Sequence, residues 1–457
     1  MLYPAFYPHA AANCSNSGVV MPRTQWGSRL GFILASAGAT VGLGSIWKFP
    51  YVTAMNGGGA FLLVYLAFTF TLGLALLQAE LALGRAAGCG AVGAFSRLGS
   101  PRWKLLGYGG VLCCFLIFSF YSVVGGWTLG YLLRALDGRV MSDDAGALAA
   151  LFGQYVGDPA EALLTHALFA GLTLLVVAGG IQKGIERAGK LLMPLLFLLM
   201  LALIVRAVTL PGAMAGVAAL FRPDFSRLTP GMLVEALGLA CFSLSVGAGC
   251  MLAYGSYLGP GTRLGNSALW VTGLTALTSV LAGLMIFPAI YAFGLNPQAG
   301  PGLTYMVMPV VFNHLPYGQL FATAFFALLL MAALTSAVSL LEVVAILPID
   351  EFGVGRRQAT LAVTALAFLA GVPAALSFGP LADYKLFGRT AFELMDYAAS
   401  NVLLPLGCIG TALFAGRVAW PAVRDELRLS APAATLMRGA CRWLAPLLIG
   451  LVLAYNL

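Results

Sequence analysis

From about residue 28 to its C-terminus the chain is a succession of apolar stretches separated by short polar connections. Each stretch is long enough to cross about 30 Å of hydrocarbon as a helix, the open-ended element whose backbone polar groups are all satisfied internally. Hydropathy places spans near 28–52, 60–83, 105–134, 163–180, 188–209, 231–257, 264–294, 318–349, 357–377, 391–416 and 440–456. With 9% charged residues, 60% hydrophobic residues and a mean hydropathy of +0.92, the chain lacks the polar atoms to coat a water-facing surface. The expectation is an all-α integral membrane protein of about eleven transmembrane helices. It forms a single domain over 21–457, and a soluble catalytic or nucleic-acid-binding module is excluded.

The net charge of +8 comes from 25 Lys and Arg against 17 Asp and Glu. Most basic residues, from Arg23 and Arg29 through Lys183, Arg187 and Lys190 to Arg442, fall in loops on the side of the N-terminus. That bias predicts a multi-pass protein of the cell's inner (plasma) membrane with a cytoplasmic N-terminus, whose partner is the bilayer and not a nucleic acid. The eight cysteines show no Cys-x-x-Cys spacing and read as buried small hydrophobes, and three scattered histidines suggest no metal cluster. Residues 1–20, ahead of Met21, read as a disordered extension. The polar connection 135–162 reads as an external solvated connector.

Two spans violate the continuity that a lipid-facing helix needs. The first contains Gly38-Ala-Thr-Val-Gly42-Leu-Gly44-Ser-Ile-Trp-Lys48, with three glycines in seven residues and a cation inside the apolar stretch. The sixth contains Phe242-Ser-Leu-Ser-Val-Gly-Ala-Gly249. Each glycine lowers helix propensity by up to about 1 kcal/mol, so both stretches are expected to unwind in mid-membrane. Close packing through small residues suffices for Gly107 or Gly125-Gly126. The broken spans hold matching places in two five-helix halves, about 28–209 and 231–416, followed by an extra helix near 440–456. Interrupted helices at corresponding positions of inverted halves point to a transporter's central binding site.

The order and spacing of these residues, with Arg23-Thr-Gln-Trp26, Asn56-Gly-Gly-Gly-Ala-Phe61, Glu80, Tyr121, Gly184-Ile-Glu-Arg187, Ser243-Leu-Ser245 and Leu334-Thr-Ser336, resemble the neurotransmitter:sodium symporter family. The resemblance is to its bacterial amino-acid branch, with the leucine-transporter fold of two inverted repeats and unwound helices 1 and 6. It implies a second sodium site from the carbonyls of Gly38, Val41 and Ala332 and the hydroxyls of Thr335 and Ser336. A first sodium site would use Thr40, Ser45, Ser243 and Thr275, although the family usually places Asn at Ser45 and Asn or Asp near Thr275, so one or two ions are implied. A chloride position of the family is matched by Tyr65, Ser243 and Ser279, but Leu239 stands where a Gln is expected.

Gly42, where monoamine carriers have Asp, implies an amino-acid substrate whose carboxylate meets sodium, the amides near Leu43 and Gly44, and the hydroxyl of Tyr121. The pocket implied comprises Ala39, Thr40, Leu43, Gly44, Ile117, Tyr121, Phe242, Ser243, Ser245, Ala248, Ser336 and Leu340. It carries no ionised side chain, so the substrate is expected to be neutral and hydrophobic, aliphatic or aromatic. Lys48 with Asp396 matches an outer gate, and Arg23 with Asp350 an inner one. Glu80 reads as a hydrogen-bonding partner for unwound backbone. The function implied is sodium-coupled import of such amino acids by alternating access, as a monomer or homodimer. A proton-coupled carrier of the same fold or a non-transporting amino-acid sensor are the alternatives, and no enzymatic constellation is present.

Overall fold

The computed structural model describes residues 23–294 and 303–456, so the expected extension 1–20 lies outside the described residues. Among the described residues nine helices are long and apolar enough to cross a membrane: α2 (Gly59–Ala87), α3 (Pro101–Leu136), α4 (Pro159–Ala178), α5 (Ile181–Val208), α7 (Leu264–Ala292), α8 (Gly318–Phe352), α9 (Arg356–Leu376), α10 (Ala391–Val418) and α11 (Ala431–Tyr455). The first predicted span is a pair, α1a (Arg29–Thr40) and α1b (Gly44–Met55), bent by 55°. The sixth is also in two pieces, α6a (Pro230–Ser243) and α6b (Cys250–Gly255), neither long enough to cross alone. Among the described residues the only β pairing is two isolated bridges.

The helix starts follow local chemistry. Ser28 accepts the Gly31 amide at 3.0 Å to cap α1a, and Thr229 accepts that of Met232 at 3.1 Å, with Pro230 preset for the first turn of α6a. Asp158 caps α4 through the amides of Ala160 and Glu161, again ahead of a proline. Glycines set the closest approaches: a Cβ on Gly107 would run into the Val92 backbone, and one on Gly125 into the Phe169 ring. Small-residue packing accounts for both.

The connector 135–162 is largely exposed and holds the helix Ala145–Gly157, capped by Asp144 and seated on Leu148, Tyr155 and Val156. Its apolar face is too short to stand out in a hydropathy trace. The last span starts at Ala431 rather than 440, since Arg438 stacks over the Trp420 ring and does not end the helix.

Candidate functional site

Where α1 and α6 lose their helical bonding they face each other in the middle of the bundle. In α6 the chain turns out of the helix at Ser245 (φ 52°) and passes through Gly247 (φ 92°) and Gly249 (φ 83°). At the last two a side chain would be strained, while Ser245 bears a conformation held by its surroundings. Its hydroxyl donates to the Ala39 carbonyl at 3.0 Å, tying the two breaks together. The freed groups of α6 are taken up by neighbours. The Gly247 amide donates to Glu80 Oε1 at 2.6 Å, and the carbonyls of Val246 and Ala248 accept the thiols of Cys408 and Cys114, each at 3.3 Å. Glu80 thus sits where its sequence reading put it.

Between the breaks lies a cavity of about 60 Å³ lined by Ala39, Thr40, Gly42, Leu43, Gly44, Ile117, Tyr121, Phe242, Ser243, Ser245, Ala248, Cys250, Ser336, Ser339, Leu340 and Leu404. All twelve residues expected around the substrate are among them. Cys250, Ser339 and Leu404 were not foreseen. Tyr121 Oη accepts the Leu43 amide at 3.2 Å and sits beside the Ser336 hydroxyl. A Cβ at Gly42 would run into Ser336 Oγ and come within 3.1 Å of Tyr121 Oη, so this glycine keeps the hydroxyls together.

Oxygens converge at two places beside the cavity. Ser336 Oγ donates to the carbonyls of Gly38 (3.1 Å) and Ala39 (3.2 Å), while Thr335 Oγ1 donates to those of Met331 and Ala332, each at 3.1 Å. Val41 closes α1a next to them, fully buried. On the other flank Ser45 Oγ meets the Thr40 carbonyl at 3.3 Å, and Thr40 Oγ1 meets Thr275 Oγ1 at 2.6 Å. Thr275 is therefore the residue of α7 that faces the break. Ser243 Oγ is buried without a hydrogen-bond partner, close to where Tyr65 Oη and Ser279 Oγ pair at 3.0 Å. Leu239 instead lines an outer cavity. Both oxygen sets are neutral, so a monovalent cation could be ligated by their lone pairs, the hydroxyl protons turning away, with no anion buried beside it.

The two gates differ. Arg23 Nη1 lies 3.1 and 3.0 Å from the two oxygens of Asp350 and its guanidinium stacks 4.7 Å over the Tyr257 ring. Lys48 and Asp396 do not pair, contrary to expectation. Lys48 Nζ sits 5.1 Å over the Phe242 ring, and Asp396 accepts Ser400 Oγ at 2.7 Å. An outer cavity of about 290 Å³ opens at this level, with Lys48 on its wall. Among the described residues only Phe242 and Leu404 line both cavities. The sequence reading also overlooked a buried network on the inner side: Glu342 accepts Tyr257 Oη at 2.5 Å and a bidentate contact from Arg356, which also donates to the Val177 carbonyl at 3.0 Å.

The sequence model of the Sodium:neurotransmitter symporter family matches residues 23–145 and 154–416. The chain belongs to that family. Family members are secondary transporters, so the chain is a sodium-dependent transporter and not an enzyme. A sodium-dependent transporter of Bacillus subtilis, YhdH, itself uncharacterized, is 43% identical over 396 residues, covering 85% of this chain and 87% of its own. One from Haemophilus influenzae is 36% identical over 451 residues, covering 95% and 98%. The bovine sodium-dependent dopamine transporter is 29% identical over 453 residues, covering 86% of this chain and 63% of its own. The crystal structure of MhsT in complex with L-phenylalanine superposes with a TM-score of 0.88 at 43% identity, covering 95% of this chain and all of that one. The symporter therefore has the fold its broken helices foretold.

Proposed function

We propose that this symporter couples sodium entry to the import of neutral hydrophobic L-amino acids across the inner membrane, with its N-terminus in the cytoplasm. The observation carrying this reading is the central cavity, which has no ionised side chain on its wall and presents the Tyr121 hydroxyl beside the Leu43 amide. An amino acid brings its own carboxylate to those donors. Its ammonium would meet the carbonyls and hydroxyls around Ala39 and Ser245, and its apolar side chain Ile117, Ala248, Leu340 and Leu404. MhsT, whose structure is with L-phenylalanine, supports a hydrophobic side chain.

Sodium would occupy the oxygens of Gly38, Val41, Ala332, Thr335 and Ser336, with a second ion at Thr40, Ser45, Ser243 and Thr275. Chloride beside Tyr65, Ser243 and Ser279 belongs to the same reading as a weaker member, since Leu239 supplies no donor. The paired Arg23–Asp350 and the unpaired Lys48 correspond to a state closed inside and open outside. Ion and substrate bind this state better, and the bundle containing the first and sixth helices then rocks against the scaffold.

The test uses purified protein in sealed vesicles with a panel of radiolabelled amino acids. Uptake of a hydrophobic member that requires external Na⁺ supports the reading. Equal uptake driven by a pH gradient without sodium, or binding without accumulation, would refute it.

A further inference from the structure

Of the seven cysteines in the described residues, five surround the break in α6: Cys113 and Cys114 on α3, Cys241 and Cys250 at its two edges, and Cys408 on α10. Cys114 Sγ and Cys250 Sγ lie 3.8 Å apart, both buried. Cys250 also borders the wall of the central cavity, although both side chains are fully buried in this conformation. The Ala248 carbonyl, 3.3 Å from Cys114 Sγ, offers an oxygen beside the two sulfurs.

We propose that Cys114 and Cys250 form a two-thiol site for a soft divalent cation of the zinc and cadmium class, loaded from the central cavity, and that its occupancy arrests transport. Metal–sulfur bonds of about 2.3 Å at a tetrahedral angle put two sulfurs about 3.8 Å apart, so the thiols already span one edge of such a site. Loading replaces two S–H protons by one M²⁺, releasing two H⁺ with no change of oxidation state. The two thiolates then cancel the metal's charge, as a site inside the bilayer requires. The Ala248 carbonyl supplies a third position and water from the cavity the fourth. Among the described residues no cluster of three His, Cys, Asp or Glu exists, so the site is an open one and not a closed structural one.

Arrest follows from where the ligands sit. Cys114 belongs to α3 and Cys250 to α6b, so a shared metal ties two elements that must shift against each other, and it stands in the substrate's space. The arrest rests on the transport reading given above; the binding does not.

The purified protein is titrated with Cd²⁺ while the ultraviolet thiolate-to-metal charge-transfer band is followed. One equivalent should saturate the band in the wild type. The band should disappear in Cys250→Ser, Cys250→Ala and Cys114→Ser, persist in Cys89→Ser and Cys441→Ser, and be slowed by saturating Na⁺ with hydrophobic amino acid. In vesicles, Cd²⁺ pretreatment should lower wild-type uptake about tenfold or more and leave the uptake of Cys114→Ser, whose side chain does not line the cavity, at its own untreated level. No band, or one retained in both Cys250 variants, would overturn the site. A full band with undiminished uptake would overturn the arrest. Vesicles that take up no amino acid before treatment would count against the functional reading alone, since the titration still decides the site.

Discussion

Replacing Glu342 by Ala should destabilise the inner half of the symporter out of proportion to the atoms removed. Glu342 is fully buried in α8, where its carboxylate holds the Tyr257 hydroxyl of the segment after α6b and the guanidinium of Arg356 at the start of α9. Removing one member of a buried ion pair costs about 3–5 kcal/mol, because the remaining charge is left without a partner. Arg356 retains 25% of its side-chain exposure, which lets water reach the stranded cation and places the loss near the lower end, about 3 kcal/mol. In a thermal melt of detergent-solubilised protein that corresponds to a fall of roughly 5 °C or more. The decisive comparison is Glu342→Ala with Arg356→Ala, which removes both charges and should recover a good part of the lost midpoint. A single variant that melts with the wild type, or a double variant that loses as much as the two singles combined, would refute the idea that the pair matters through its unbalanced charge.

Other consequences are equally open to measurement. Tyr121→Phe removes the hydroxyl assigned to the substrate carboxylate; at about 1.5–3 kcal/mol for a hydrogen bond to a charged group, equilibrium binding of a hydrophobic amino acid should weaken about ten- to a hundredfold. Thr335→Val with Ser336→Ala should abolish sodium-dependent uptake while gel filtration shows a folded protein. Lys48→Arg supplies the missing fork and should let the side chain bridge to Asp396, seen as slower dissociation of bound amino acid.

Much of the site was legible because the constraint on it is severe. Three glycines between Gly38 and Gly44, and Gly247 with Gly249, have few reasons to interrupt membrane spans, and both breaks fall where they stand. Ser339 and Leu404 escaped because α8 and α10 are apolar on nearly every face, so periodicity cannot tell which side looks inward. Thr275 was named within Leu274-Thr-Ala-Leu-Thr-Ser279 by resemblance alone, since periodicity there offers no unique anchor, and its contact with Thr40 fixes the rotation of α7. Glu342 was readable as an intramembrane acid, but its partner Arg356 lies beyond the turn into another helix, a pairing that only the folded chain establishes. Lys48 and Asp396 carry a different lesson, since residue identity names two partners but not the conformation in which they meet.

The break in α6 is fastened unequally. On the α2 side a carboxylate grips a backbone amide at 2.6 Å, a charge-assisted bond of the strong kind, whereas α3 and α10 touch the same few residues through sulfhydryl donors at 3.3 Å, among the feeblest available. A stroke of α6 would therefore drag α2 along as a fixed passenger and slip past α3 and α10 at small cost. The slide plane of the machine is drawn in sulfur.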